Sequence, residues 1–477
     1  MKLLASCVAV LCLVSAPAVG FQAEQDTRPN ILLIVADDMG YGDLSCYGSL
    51  QIQTPNLDKL AAAGVRCTDG YVSGPVCAPS RAGLMTGRNG SRFGFEHNLS
   101  RPDYLKEDYA GIPLDEPLMP ERLKELGYRT GLVGKWHLGE AVDEHHPMKR
   151  GFDSFFGMLG GSHGYWPTVE KNRLHRGYEK PKEIRAEYLT DWFTLEALDF
   201  IRADADQPWF LFLSYNTPHS PMQAKEEDVE KYAHIKGKTR RIYCAMQDCM
   251  DRNIGLLMDE LESRGELSNT LIVFLSDNGG SVEVSNAINA PLRGTKGTYL
   301  EGGIRVPMIL TWPDRWQPQV FHQPMSALDL MATFVSAAGG TPPTPGERQP
   351  RQGRNKKKWP IYDSVNLDPH FRGEVTDPPH QTLYWRTALR GSAIRDGDWK
   401  LLRPNSELPQ LYNLAEDVGE ENNLIGKHPD VAARLLEKFN HWETTLERNP
   451  MFQSDPYWSG YNRKLYLRDY QLTQPPK

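Results

Sequence analysis

The segment Cys77-Ala78-Pro79-Ser80-Arg81-Ala82-Gly83-Leu84-Met85-Thr86-Gly87-Arg88 carries residue types that can do chemistry at a helix start. Proline is tolerated in a first helical turn, so Pro79 puts Cys77 at or just before the N-terminus of a helix. The unpaired N–H groups of such an end favour an anion. Arg81 adds a planar fork of donors that is always charged. A thiolate in that setting would be nucleophilic, whereas a lone cysteine is ordinarily a buried, inert thiol. The neighbours of Cys77 therefore decide its meaning.

Two continuous apolar runs, 30–36 and 270–276, end in Asp37-Asp38 and in Asp277-Asn278-Gly279-Gly280. Such runs read as strands buried on both faces, and open α/β sheets bind ligands beyond the carboxyl ends of their strands. Either polar pair alone would serve as a turn device. Together, Asp37, Asp38, Asp277 and Asn278 make an oxygen-rich set suited to Ca²⁺ or Mg²⁺. A strand expected over 128–133 delivers Gly134-Lys135-Trp136-His137-Leu138-Gly139. Lys135 and His137, two apart, would share one side of an extended stretch. His219 follows the buried strand expected over 208–215, and Lys296 sits in Pro291-Leu292-Arg293-Gly294-Thr295-Lys296-Gly297.

Cys-x-Pro-Ser-Arg at 77–81, with Leu84, Thr86, Gly87 and Arg88 behind it, resembles the signature of type I sulfatases. The Thr54-Pro55-Asn56-Leu57-Asp58 segment and the Gly134–Gly139 motif are similar to that family too, in the family's order. The resemblance implies an alkaline phosphatase-like α/β fold: a large mixed sheet flanked by helices, with a smaller α+β C-terminal subdomain. It implies that Cys77 is converted to formylglycine by a formylglycine-generating enzyme. Asp37, Asp38, Asp277, Asn278 and an oxygen of modified Cys77 would hold one divalent ion, Ca²⁺ with Mg²⁺ as the alternative. The hydrated aldehyde, supported by Arg81 and Lys135, would attack sulfur and give a covalent sulfo-enzyme. His219 or Lys296 would assist the leaving alkoxide, and His137 would take the proton that expels sulfate.

The implied activity is sulfuric ester hydrolysis on a sulfated carbohydrate. The run 111–139 resembles sulfatases acting on N-acetylgalactosamine 6-sulfate. Arg92, His97, His163, Tyr165 and Trp166, in turn-rich stretches, are candidates to line a sugar pocket; Arg92, His163, Tyr165 and Trp166 form the set carried forward as substrate-binding. Two alternatives stand beside this reading: a phosphonate or phosphate ester hydrolase carrying the same cysteine motif, and an inactive glycan-binding pseudo-sulfatase.

These residues need a large scaffold. The chain has 477 residues, 40% hydrophobic and 24% charged, as expected of a globular protein able to bury a large core. A net charge of -7 argues against a nucleic-acid partner. Residues 1–20 read as a signal peptide with a positive start, an apolar stretch and small residues at the cleavage site. That implies export to a periplasm or the exterior, or to a lysosome in a eukaryote, without a membrane span in the mature chain. Of seven cysteines, Cys7 and Cys12 leave with the signal; setting Cys77 aside leaves four, with three possible pairings. Helices are expected over 57–63, 119–126, 188–203 and 242–265. A proline-rich, basic stretch over 341–360 reads as a surface loop or linker; beyond it the chain divides into a catalytic domain, 21–375, and a C-terminal subdomain, 376–477, of short strands followed by a helix over 429–440.

Overall fold

The computed structural model describes residues 27–99, 111–203, 207–346, 360–387, 391–405 and 407–448. The expected signal peptide, most of the basic loop and the last 29 residues lie outside the described residues. In chain order the strands of the large sheet and its neighbour are β1 (Asn30–Ala36), β2 (Val65–Cys67), β3 (Gly70–Tyr71), β4 (Arg129–Lys135), β5 (Ser154–Met158) and β6 (Leu174–Arg176). They continue as β7 (Trp209–Ser214), β8 (Thr270–Ser276), β9 (Met308–Thr311), β10 (Gln319–Phe321) and β11 (Met325–Ser326). Nine of them form one sheet in the order β10-β2-β9-β8-β1-β7-β4-β5-β6, and β11 pairs with β3 beside it.

The continuous apolar character of 31–36 puts β1 in the middle of that sheet, buried on both faces. Ile31, Leu33 and Val35 face one core, which includes the Cys77–Thr86 and Asp329–Ala337 helices. Leu32, Ile34 and Ala36 face the other, under the Pro55–Ala63, Leu189–Arg202 and Lys238–Ser263 helices. Strands β8, β1, β7, β4 and β5 are mutually parallel, while β9 and β6 run against their neighbours. The sheet is therefore mixed, as expected. Its parallel centre brings five carboxyl ends to one edge.

Several boundaries differ from expectation. The 128–133 strand runs on to Lys135, and the 242–265 helix begins at Lys238. The helix expected over 57–63 begins at Pro55, and the hydroxyl of Thr54 before it accepts from Ser45 N at 3.0 Å. All five cysteines among the described residues are free thiols, so none of the three pairings forms.

The C-terminal part is an antiparallel meander, β12 (Thr382–Thr387), β13 (Gly391–Asp396), β14 (Trp399–Pro404) and β15 (Gln410–Asn413), with the Pro429–Glu443 helix on one face. Ile394, Leu401 and Leu411 pack under Leu435, Phe439 and Trp442. Successive side chains alternate across a strand, so Leu402, Trp385 and Tyr412 face the opposite way, onto Tyr71, Tyr299 and Ile304 of the larger part.

Candidate active site

Register assembles the site. Asn30 to Ala36 pair with Thr270 to Ser276 residue for residue, so Asp37 and Asp277 emerge side by side, with Asp277 N donating to Ala36 O at 3.0 Å. On the other flank of β1, β7 leads to Asn216 and His219, and next to it β4 ends in Lys135. The Cys77–Thr86 helix begins at Cys77 behind an extended Val76, and its Ala78 N–H donates to Asn98 Oδ1 at 2.9 Å.

At this edge the residues converge. Cys77 Sγ lies 3.6 Å from Asp37 Oδ1, 3.9 Å from Asp38 Oδ1 and 3.1 Å from Lys296 Nζ. Lys135 Nζ bonds Asp37 Oδ2 at 2.6 Å, and Lys296 Nζ bonds Asp38 Oδ1 at 2.6 Å. Arg81 Nε donates to Asp277 Oδ2 at 2.8 Å and Arg81 Nη1 to Ser214 Oγ at 2.5 Å. His219 donates from Nδ1 to Ser220 O at 2.6 Å, which directs Nε2 at Asp38 Oδ2, 3.6 Å away. Asp38 holds a left-handed φ of 69°, with Asn278 Nδ2 on its Oδ1 at 2.8 Å. A non-glycine residue held this way is a strained position of the kind that collects at functional sites.

His137 is placed differently from the extended geometry expected of Lys135-x-His137. The strand stops at Lys135, and His137 takes φ 58° beyond it. Its N–H donates to Leu159 O at 3.0 Å, and Nδ1 is buried without a partner. Burial, with Lys135 and Arg81 nearby, holds its pKa well below the ordinary histidine value, so the ring is neutral. For Cys77 the same burial outweighs Lys135 and Lys296, and the thiol is pushed up to about 12. It is therefore not a thiolate at neutral pH. For Lys296, burial opposes the charge, but Cys77, Asp38 and Asp37 raise it well above the ordinary lysine value.

The donor chemistry fits a hard cation. Ligand atoms of Asp37, Asp38, Cys77 and His219 lie within 4.8 Å of one another. Asn278 Oδ1 is buried with no hydrogen-bond partner, on a side chain already touching Asp38. A buried carbonyl oxygen left unpaired beside carboxylates is a donor suited to Ca²⁺ or Mg²⁺, not to a thiophilic metal. Asp277 adjoins through its Oδ1, which accepts from Asp38 N at 3.3 Å.

The sugar-pocket candidates separate. Tyr165 is buried, and its hydroxyl donates toward Asn216 O at 2.6 Å and His219 O at 2.9 Å, bracing the histidine's loop. Trp166, 45% exposed, packs edge-on against Tyr188 with centroids 5.2 Å apart. His163 spends both ring nitrogens on backbone, Nδ1 on Gly164 O at 2.7 Å and Nε2 on Arg173 N at 3.1 Å. Arg92 forks onto Asp363 at 2.6–2.9 Å and also bonds Thr445. Sequence reasoning missed Ser214, Asn98 and Gly161. A Cβ at Gly161 would stand 2.6 Å from His137 Nε2. Only Ser214 carried a signal, as the polar end of an apolar strand.

The family model described as Sulfatase matches residues 29–340. Mouse arylsulfatase J is 32% identical over 472 residues, covering 88% of this chain and 76% of that protein. Human N-acetylgalactosamine-6-sulfatase is 35% identical over 430 residues, covering 82% and 80%. A solved structure described as Ps i-CgsB in complex with k-i-k-neocarrahexaose superposes with a TM-score of 0.81 at 34% identity, covering 93% of this chain and 98% of that one. The family model covers well over half of the chain, and relatives about a third identical span four-fifths or more of it; the chain belongs to the sulfatase family.

Proposed function

We propose that this sulfuric ester hydrolase removes sulfate from a carbohydrate, with residue 77 acting as formylglycine. The observation that carries the reading is the convergence on Cys77 of Lys296 at 3.1 Å and Asp37 at 3.6 Å, in a pocket closed by Arg81, Lys135 and both histidines. Support for the substrate class comes from the relatives, named for N-acetylgalactosamine 6-sulfate and bound to a neocarrahexaose.

Conversion of CH₂SH to CHO by a formylglycine-generating enzyme removes the sulfur and oxidises the carbon, and the hydrated aldehyde supplies an oxygen nucleophile. A divalent ion held by Asp37, Asp38, Asp277, Asn278 and residue 77 would lower the pKa of a hydroxyl there and polarise the sulfate. The protein's own charges do the rest. Three carboxylates, Asp37, Asp38 and Asp277, face three cations, Arg81, Lys135 and Lys296. That balance leaves a bound dication's charge free for an anionic ester. Arg81 and Lys135, each fixed by a carboxylate, orient residue 77. Lys296, paired with Asp38, steadies charge, and His219, whose Nε2 faces Asp38, gives a proton to the departing alcohol as the imidazolium. Neutral His137 accepts a proton from residue 77. Trp166 offers the sugar an exposed aromatic face. Residues 1–20 direct export, and the two parts divide near 375.

The test is mass spectrometry of the residue-77 peptide with kinetics on defined sulfated oligosaccharides. The peptide is expected about 18 Da lighter than its cysteine form, and Cys77→Ala is expected to lose turnover. Full activity of Cys77→Ala would sink the reading.

A further inference from the structure

Behind the pocket lies a buried ionic network that the chemistry above does not use. Lys400, from β14, donates to Glu301 Oε1 at 2.7 Å and lies 2.9 Å from Glu420 Oε1; all three side chains are fully buried. Glu420 Oε2 accepts the Glu301 N–H at 2.7 Å, and Tyr71 donates to Glu301 Oε2 at 2.5 Å. Arg305 reaches Glu301 at 3.3 Å and Asp69 at 2.9 Å, while Arg395 bonds Asp69 Oδ1 at 2.6 Å. Asp69, Glu301 and Glu420 thus balance Arg305, Arg395 and Lys400.

The members from the larger part stand on segments that carry the pocket. Tyr71 is six residues before Cys77, and Val72 is held on both sides, by Ile304 O at 2.9 Å and by the Trp385 indole N–H at 2.7 Å. Glu301 is five residues after Lys296, whose neighbour Gly297 donates to Pro75 O at 2.7 Å. Gly303 O accepts from Gly279 N at 3.1 Å, beside Asn278, where a Cβ on Gly279 would fall 1.8 Å from Gly302 O. Apolar side chains of similar volume would stabilise such an interface at least as well, because burying charge is costly. What directional bonds add is a fixed spacing.

We propose that Lys400, Glu301 and Glu420 are positioning residues through which the C-terminal sheet sets Lys296 against residue 77. The kinetic part of the test rests on the proposed function; the structural part does not. Hydrogen–deuterium exchange of Lys400→Met is expected to show lost protection over 293–304 and 72–77, with the β1 and β8 amides unchanged. Turnover of Lys400→Met is expected to fall about 100-fold, the scale of an ångström's misplacement. The double variant Lys400→Met/Lys296→Met should equal Lys296→Met within about twofold, because the first residue acts through the second. Losses that multiply, or unchanged exchange over 293–304, would overturn the proposal. If Lys400→Met does not fold, Glu420→Gln, which keeps an acceptor for the Glu301 N–H, carries the same cycle. A parent inactive on every sulfate ester counts against the proposed function alone, and the exchange result still decides this one.

Discussion

His137 is the residue whose protonation the pocket controls most directly. Burial and two cations depress its folded pKa below the ordinary value of about 6.5. If it is the neutral base proposed above, turnover persists as pH falls past that value, and the acid limb of the kcat–pH profile is expected well below 6.5. A bound dication pushes in the same direction. The linkage sign follows: below about pH 6.5 the unfolded chain takes up a proton that the folded ring refuses, so stability falls with pH there. Replacing His137 with Gln should flatten that part of the stability curve, and an acid limb at or above 6.5 would refute the neutral-base role. Asn278 supports a second expectation at this scale. If its unpaired Oδ1 helps hold a cation, Ca²⁺ at a hundred times its Kd should raise unfolding free energy by about 2.7 kcal/mol. Chelation should reverse that, and Asn278→Leu should shrink it. The residues that meet at the sheet edge were legible at this scale because each combined a distinctive residue type with a strand end, a helix start or a glycine-flanked turn. The partners of Arg92 and His163 were not, since Asp363 and Arg173 lie in irregular segments whose paths only the fold defines.

Elements explain both the successes and the misses of sequence reading. The 30–36 and 270–276 runs were read with their observed bounds because a central parallel strand is apolar on both faces. The Asp329–Ala337 helix went unseen for a related reason. Every residue from Asp329 to Val335 is buried, which erases the polar face that reveals a helix. Strands β2, β3, β10 and β11 have only two or three residues and carry no periodicity of their own. At the β5 end the chain passes Gly161 over the His137 ring. Alanine there brings a methyl to 2.6 Å from Nε2, so the imidazole must shift. Gly161→Ala is expected to cost about 100-fold in kcat, since misplacement of a catalytic group is felt steeply. The melting temperature should change little, because the clash is with a side-chain ring and not with backbone. A variant with parental kcat would show that the ring's present position is not required.

At the scale of the whole molecule, the two parts share one stability. The larger part contributes Asp69, Glu301 and Arg305 to the buried network, and the smaller part contributes Arg395, Lys400 and Glu420. The apolar contact beside it is shared in the same way, with Leu383, Trp385, Leu402 and Tyr412 covering Tyr71, Tyr299 and Ile304. Cutting the chain after residue 375 would strand buried charges on both pieces. Loss of one partner of a buried pair costs roughly 3–5 kcal/mol, a large share of the roughly 5–15 kcal/mol that holds a domain together. The linker region between the parts reads in sequence as an ordinary domain boundary, because local composition carries no record of charges that meet across it. The full chain is therefore expected to melt in a single calorimetric transition, and a chain ending at 375 to be degraded in limited proteolysis that the full chain resists. Two separate transitions, or a truncated chain that resists proteolysis and hydrolyses sulfate esters, would show the C-terminal sheet to be an independent appendage.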